Sequence, residues 1–525
     1  MLGTAPLGLI PLGLFPFAED QAAGSMVGVE SQSSGDYEIF VATAEFITGT
    51  ADLPADTPFR GTLQQALDYS RTISGDDGFS GFASGQGSMS VLNLDGRYDF
   101  LPQFYALDGR DQEIRIGTKD VPYRHWFTIF KGTAAGFHLD DMLYVDLQDY
   151  GHKLDVPLQP NLFAGTGGKE GGDDLKGKPK PRAYGYCENV TPVLVDAATL
   201  LYCVHDGPVQ SIAALADQVV LINEGDVADA ASLIVASITS GQFKTCLAEG
   251  LFRLNFTLDS TTITADVQGD KTGGDFAATI PQIVRRMAET ALVDEEFYEP
   301  AFAAYAAAAN FDACYFADPS STVTIRQAVA QVLGYGSFAS FRRIGKFAIA
   351  RVEHPAGKTP SLFVEKRHVL KGTLRRERLP SGLFPPPHRV KVGWGRNGTV
   401  LSGPGIENGA SAARRAFALE ELRYASAESA ATKINHPLAQ ERVLAGFLRN
   451  EADAQTEATR IQAMHAATAA IYRFKVPFPM AADLELGEVV NLTFDRYDLH
   501  SGRNLLAVGI AVNVQENWAE IQGWG

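Results

Sequence analysis

Residues 92–117 read "LNLDGRYDFLPQFYALDGRDQEIRIG". Two Asp-Gly pairs, Asp95-Gly96 and Asp108-Gly109, punctuate β-favouring runs. Such a pair is a turn signal, because both residues tolerate the backbone angles a tight reversal needs. Upstream, "DYEIFVATAEFITG" (36–49) and "GSMSVL" (87–92) read as strands. Downstream, "HWFTIFKGTAAGFHLDDMLYVDLQDY" (125–150) reads as two more short strands around Gly132 and Gly136. Short strands at this spacing predict a small antiparallel barrel or sandwich over residues 27–164.

Beyond it lies "GTGGKEGGDDLKGKPKP" (165–181), whose glycines and lysines resemble a phosphate-binding loop. Gly168-Lys169 is followed by Glu170 rather than Ser or Thr, and no Gly stands five residues before Gly168, so that reading fails. Residues 165–180 are expected to be a mobile linker. Strands return over 181–270, clearest in "GLFRLNFT" (250–257) and "TTITADVQGD" (261–270). Residues 271–357 then change character. "TIPQIVRRMAETALV" (279–293), "EPAFAAYAAAANF" (299–311) and "TVTIRQAVAQVLG" (322–334) have helical apolar spacing, the last opening after Ser320-Ser321-Thr322 and stopping at Gly334. "GKFAIARVEHP" (345–355) returns to strand, which predicts a mixed α/β unit. Residues 358–525 carry strand runs at 362–379, 388–401, 470–479, 484–494 and 505–525, with one helix over about Glu451 to Ala467. They read as a second barrel. The expected fold class is therefore a β-rich α+β multidomain chain, with two small antiparallel β-barrels flanking mixed α/β domains.

A chain of 525 residues has room for several such units, and 45% hydrophobic content with 20% charged residues is that of a globular protein. Sixty-two acidic residues against 45 basic ones give a net charge of −17. That balance argues against specific nucleic-acid binding, which needs basic patches that release counterions. The N-terminal "APLGLIPLGLFPF" (5–17) is apolar but lacks a basic lead, and Pro6, Pro11 and Pro16 interrupt any continuous helix. It also falls short of the roughly 20 residues a span requires. Residues 1–26 are instead expected to form an extended Pro-rich arm suited to a groove on a partner, with no membrane span.

The sharpest candidate for chemistry is "LYCVHDGPV" (201–209), where Cys203, His205 and Asp206 fall within four positions. A strand places Cys203 and His205 on one face and Asp206 on the other, so this Asp cannot orient the imidazole. Catalytic partners normally arrive from separate elements. The stretch is expected to be a strand running into an Asp-Gly-Pro turn. Four cysteines, Cys187, Cys203, Cys246 and Cys314, equal the number an iron–sulfur cluster needs, but their wide spacing and the lack of any CxxC favour four buried thiols.

Taken together, the order of motifs resembles that of the long-tailed (siphophage) baseplate hub or tail-tip proteins, a family also found in gene transfer agents. In residues 92–117, Asn93, Asp95-Gly96 and Asp99 form an N-x-DG-x-x-D segment followed by Asp108-Gly109-Arg110. The stretch "KGKPKPRAYGYCENVTPVLVDAATLLYCVHDGPVQSI" (176–212) is similar to the segment that follows in that family. "RVKVGWGRNGTV" (389–400) and the final strands look like its closing barrel. The resemblance implies a homotrimeric ring in the virion tail, made and assembled in the host cytoplasm, that continues the tail tube and lets DNA pass through its lumen on ejection. It implies partners in a distal tail or tail tube protein, another hub protein, the tape measure protein and a central fibre or tip protein. It implies no enzyme, no catalytic or metal residues and no cofactor.

Two other functions compete. A virion-associated cell-wall-degrading enzyme would need a recognisable site, and the chain has no HExxH pair and no GxSxG elbow. A receptor-binding tail protein would use exposed aromatics; the chain has four Trp, of which Trp394 and Trp524 lie in expected C-terminal strands, where aromatics are more often core.

Overall fold

The computed structural model describes residues 25–32, 38–74, 76, 78–256, 261–407 and 409–525. Most of the Pro-rich arm lies outside the described residues. The chain is β-rich and built from several sheets, and the largest has thirteen strands drawn from both ends of the sequence. In chain order these are β1 (Ser25–Gln32), β2 (Glu38–Ala42), β3 (Leu63–Thr72), β4 (Gly85–Leu92), β5 (Asp111–Thr118), β6 (Phe127–Leu139), β7 (Met142–Gln148), β8 (Leu362–Glu365), β9 (Arg375–Glu377), β10 (Ile471–Pro477), β11 (Val489–Thr493), β12 (Arg503–Asn513) and β13 (Trp518–Trp524). Their order across the sheet is β2-β1-β5-β6-β7-β4-β3-β12-β13-β10-β9, with β11 branching from β12 to pair β8.

The expected β-rich multidomain architecture is present, but the two separate barrels are not seen as closed rings: among the described residues no ring of strands closes. The N-terminal strands nevertheless curl back on themselves. Ala42 N–H donates to Arg60 O at 2.7 Å and Arg60 N–H to Phe40 O at 3.1 Å, while Leu92 N–H reaches Thr62 O at 2.8 Å. The segment just ahead of β3 thus touches both β2 and β4. What joins the halves is the β3–β12 ladder, antiparallel from Asp68↔Asn513 to Thr72↔Gly509. β12 is buried almost throughout, as a strand covered on both faces must be. One apolar core runs across the seam, from Tyr69 and Phe130 on one side to Ile510, Ile521 and Trp524 on the other.

The two Asp-Gly turns form, with Gly96 at φ +66° and Gly109 at φ +74°. They do not close hairpins. β4 pairs with β3 and β7, and β5 with β1 and β6, so residues 93–110 are a crossover carrying the short helix Leu101–Phe104. The side chain of Asn93 accepts from Tyr98 N–H at 2.9 Å and donates to Asp99 Oδ1 at 2.8 Å and Asp140 O at 3.1 Å. These bonds fold the first turn onto the next strand connection. Gly132 and Gly136 likewise sit inside a single strand, β6, rather than separating two.

Between the two ends lie smaller sheets. In one, Val209–Ala216, Ile263–Asp270, Arg182–Val190 and Cys314–Ala317 are neighbours in that order. In another, Val193–Asp196, Leu201–Cys203, Leu251–Leu254, Gln242–Cys246 and Ile222–Asp226 follow one another. The helix Ile325–Leu333 begins two residues later than expected, because Thr324 and Gln327 form a reciprocal capping box; it ends at Gly334. The helix Glu451–Ala466 buries Ala454, Ala458 and Ile461 against the sheet of Arg389–Trp394. Helices Ala412–Ala418 and Ala430–Asn435, not foreseen, are six to seven residues long and capped by Ser411 and Ser429. No helix among the described residues is long and apolar enough to cross a membrane.

Candidate functional site

The stretch 201–209 leaves its strand at Cys203 and turns at Asp206-Gly207, with Gly207 at φ +133°. His205 is completely buried. The Ala183 N–H donates to its Nδ1 at 3.0 Å, so in the neutral ring the proton sits on Nε2. Nε2 lies 3.3 Å from Asp270 Oδ2, although the approach is too poorly aligned for a well-formed hydrogen bond. Burial pushes the imidazole below its ordinary pKa in spite of that carboxylate. Burial would raise Asp270, but His205, the Thr272 N–H and Arg286 outweigh it and hold the carboxyl below its usual range. With the imidazole neutral, Arg286 at 2.8 Å supplies the opposite charge.

Cys203 does not reach this imidazole. Its thiol approaches the backbone O of His205 at 3.5 Å, and burial pushes its pKa up to about 12. A nucleophilic thiolate needs the reverse, an environment that lowers the thiol. Asp206 faces away as expected: its Oδ2 accepts from Asn161 Nδ2 at 2.8 Å, and its N–H donates to Pro181 O at 2.9 Å. The cluster is a brace between strands. Its central carboxylate, Asp270, lay beyond sequence reasoning because nothing local links it to His205; the HDGP turn was the only signal.

The remaining thiols divide between two cores. Cys187 and Cys314 share one, while Cys203 and Cys246 share the other. Among the described residues no three His, Cys, Asp or Glu side chains gather where a metal could sit. The Gly-Lys stretch is tied down by ion pairs: Lys169 Nζ meets Glu249 Oε2 at 2.7 Å and Lys180 Nζ meets Glu170 Oε1 at 2.8 Å. Trp524 is buried in the core and Trp394 is half-buried, so neither offers an open sugar platform.

Two further features stand out. At the β3–β12 seam, Arg71 and Glu485 form a buried ion pair at 2.5 Å. At the C-terminal end of the large sheet, beside the edge strand β9, lies a cleft of about 510 Å³ lined in part by Arg376, Arg378, Phe384, His436, Thr468 and Trp524. Ile434 and Leu438, in the segment that follows Ser429, are 77% and 80% exposed.

No protein-family model and no curated protein matches the chain. Solved structures similar to it include phage tail proteins. A tail protein from Neisseria meningitidis is 8% identical, with 96% of this chain and 97% of that one covered at a TM-score of 0.41. The 43 kDa tail protein of prophage MuSo2 from Shewanella oneidensis is 8% identical, with coverage of 95% and 96% and a TM-score of 0.38. Prophage tail protein gp18 from Listeria monocytogenes is 6% identical, with coverage of 96% and 94% and a TM-score of 0.37.

Proposed function

We propose that the chain is a structural baseplate hub subunit of a phage tail, which forms a trimeric ring that continues the tail tube. The observation that carries this reading is the β3–β12 seam. Two groups of strands, one from each end of the sequence, join through backbone hydrogen bonds and share one core, and the N-terminal group curls back on itself. Two tube-like units per subunit, closed head to tail over three subunits, would build six units around a channel, and closed symmetric rings are the common outcome of such contacts. The motifs at 92–117 and 176–212 support the same reading. The ring would meet a distal tail or tube protein on one side and a central fibre or tip on the other.

A ring of this kind must pass DNA without holding it. The net charge of −17 per chain, repeated around the ring, makes the average field repulsive to phosphate. Cryo-electron microscopy of virion tails tests the whole reading, with three copies around the channel as the expected result. Six copies, or a location off the tail axis, would overturn it. A bore lined by Arg375, Arg376 and Arg378 would remove the anti-adhesive channel while leaving the ring.

A further inference from the structure

The cleft beside β9 has a chemistry that building a tube does not use. Arg376 and Arg378 are exposed on it and form no ion pair among the described residues, whereas Glu377 between them is taken by Arg473 at 2.8 Å. The lining is also aromatic. Phe384, 44% exposed, meets His436 edge-on with ring centroids 5.7 Å apart. Exposed cations beside an aromatic-lined groove fit an extended apolar strip that ends in negative charge, because the strip's apolar side chains can lie along the groove while its acids meet the cations.

The chain carries that strip. Residues 5–20 read "APLGLIPLGLFPFAED": three prolines at five-residue intervals, Leu, Ile and Phe between them, and Glu19-Asp20 at the end. We propose that this segment of one subunit docks in the β9 cleft of the neighbouring subunit, a contact that rests on the head-to-tail ring proposed above. Reach permits it. A chain of 24 residues, the number ahead of Ser25, can reach about 79 Å when extended at roughly 3.3 Å per residue. The nine strand steps from β1 to β9 within one sheet cover only about 43 Å at roughly 4.8 Å each. β1 curls back against β3, which stands four strand steps from β9, so the cleft is within the arm's reach, and it is the ring proposed above that selects the neighbour's cleft. The arm would then latch the ring, with Glu19 and Asp20 meeting Arg376 and Arg378.

Two measurements test this. First, a fluorescent peptide of residues 1–20 is titrated onto protein lacking residues 1–24, whose fold is checked by circular dichroism. Saturable binding is expected, at least tenfold weaker for R376E/R378E and restored to that variant by an E19K/D20K peptide. Absence of binding overturns the docking whatever the oligomeric state, and so does binding indifferent to the charge swap. Second, full-length copies bearing Leu14→Cys and differently tagged copies bearing Thr468→Cys are mixed and treated with a short bis-maleimide, while mass photometry reads the oligomer. A cross-link between the two tags supports the latch. A cross-link formed only within one chain carrying both cysteines overturns the exchange between subunits. Monomers that still bind the peptide overturn the ring and the exchange, but support the cleft as the arm's receptor.

Discussion

Arg71 and Glu485, from opposite halves of the chain, meet 2.5 Å apart with each side chain only 4% exposed. The pair stands at the β3–β12 seam, and Arg71 also donates to Phe341 O and Leu484 O, both at 3.4 Å. Burial opposes the Arg71 charge, and Glu485, Tyr69 and Asp149 together more than offset it. Removing the carboxylate strands a buried cation, which typically costs about 3–5 kcal/mol.

The two partners should not be equivalent. Glu485 keeps Arg342 at 3.5 Å and the Arg343 N–H at 3.2 Å when Arg71 is lost, whereas Arg71 has no other close carboxylate partner among the described residues. Glu485→Leu is therefore expected to destabilise the seam more than Arg71→Met. The double substitution should recover much of the loss. Urea unfolding followed through Trp518 and Trp524 fluorescence measures this, and equal effects of the two single changes would contradict the asymmetry.

The buried His205 predicts a proton count. Its folded pKa lies below its ordinary 6.5, so between those values the unfolded chain binds a proton that the folded chain refuses. Stability from this site is therefore full above about pH 6.5 and falls as pH drops, by up to about 1.4 kcal/mol per pH unit for one proton. Asp270 is depressed as well, and its contribution is lost at still lower pH, as pH falls through its folded value. His465, pushed down to about 3 by burial, and His354 act in the same sense. His205→Gln should lower the protons taken up on unfolding as pH drops below about 6.5, by at most about one, read by potentiometric titration across that range. An unchanged count would mean that His205 is already charged in the fold.

Much of this brace and of the fold was legible in the sequence, and the losses share a cause. The turn at Asp206-Gly207 and the inert Cys203 followed from strand geometry alone. Asp270 did not, because the contact is made by the pairing of Ile263–Asp270 with Arg182–Val190 and no periodicity records which strands become neighbours. The same blindness hid the β3–β12 ladder, which made one continuous sheet out of two expected barrels. Short helices such as Ala430–Asn435 escaped because six residues give too little periodicity to read. The cleft beside β9 escaped because its lining is gathered from several segments distant in sequence.

The four thiols should be silent in the folded protein. Burial raises Cys187 well above its ordinary value, Cys203 and Cys314 to about 12 and Cys246 to about 11. Thiolate, not thiol, reacts. Ellman's reagent at pH 8 is expected to label none of the four within minutes and all four in guanidinium. Rapid native labelling of Cys203 would reopen the question of a reactive thiol beside His205.

Asn93 makes the most exacting test of how the motif at 92–117 works. Its side chain is the common partner of Tyr98 N–H, Asp99 Oδ1 and Asp140 O, and the residue is only 3% exposed. Asn93→Ala leaves the buried Tyr98 amide without its acceptor, and an unmade bond of that kind costs about 1–3 kcal/mol. Asn93→Asp keeps an acceptor for Tyr98 but loses both donated bonds and sets a second carboxylate against Asp99. At pH 7 it should therefore be at least as damaging as Asn93→Ala, and it should recover as pH falls and the introduced acid takes up a proton. Hydrogen exchange across residues 93–110 reads this directly. Protection that ignores pH in Asn93→Asp would mean that Asp99 is not held beside residue 93, and that the crossover is fixed by its backbone turns alone.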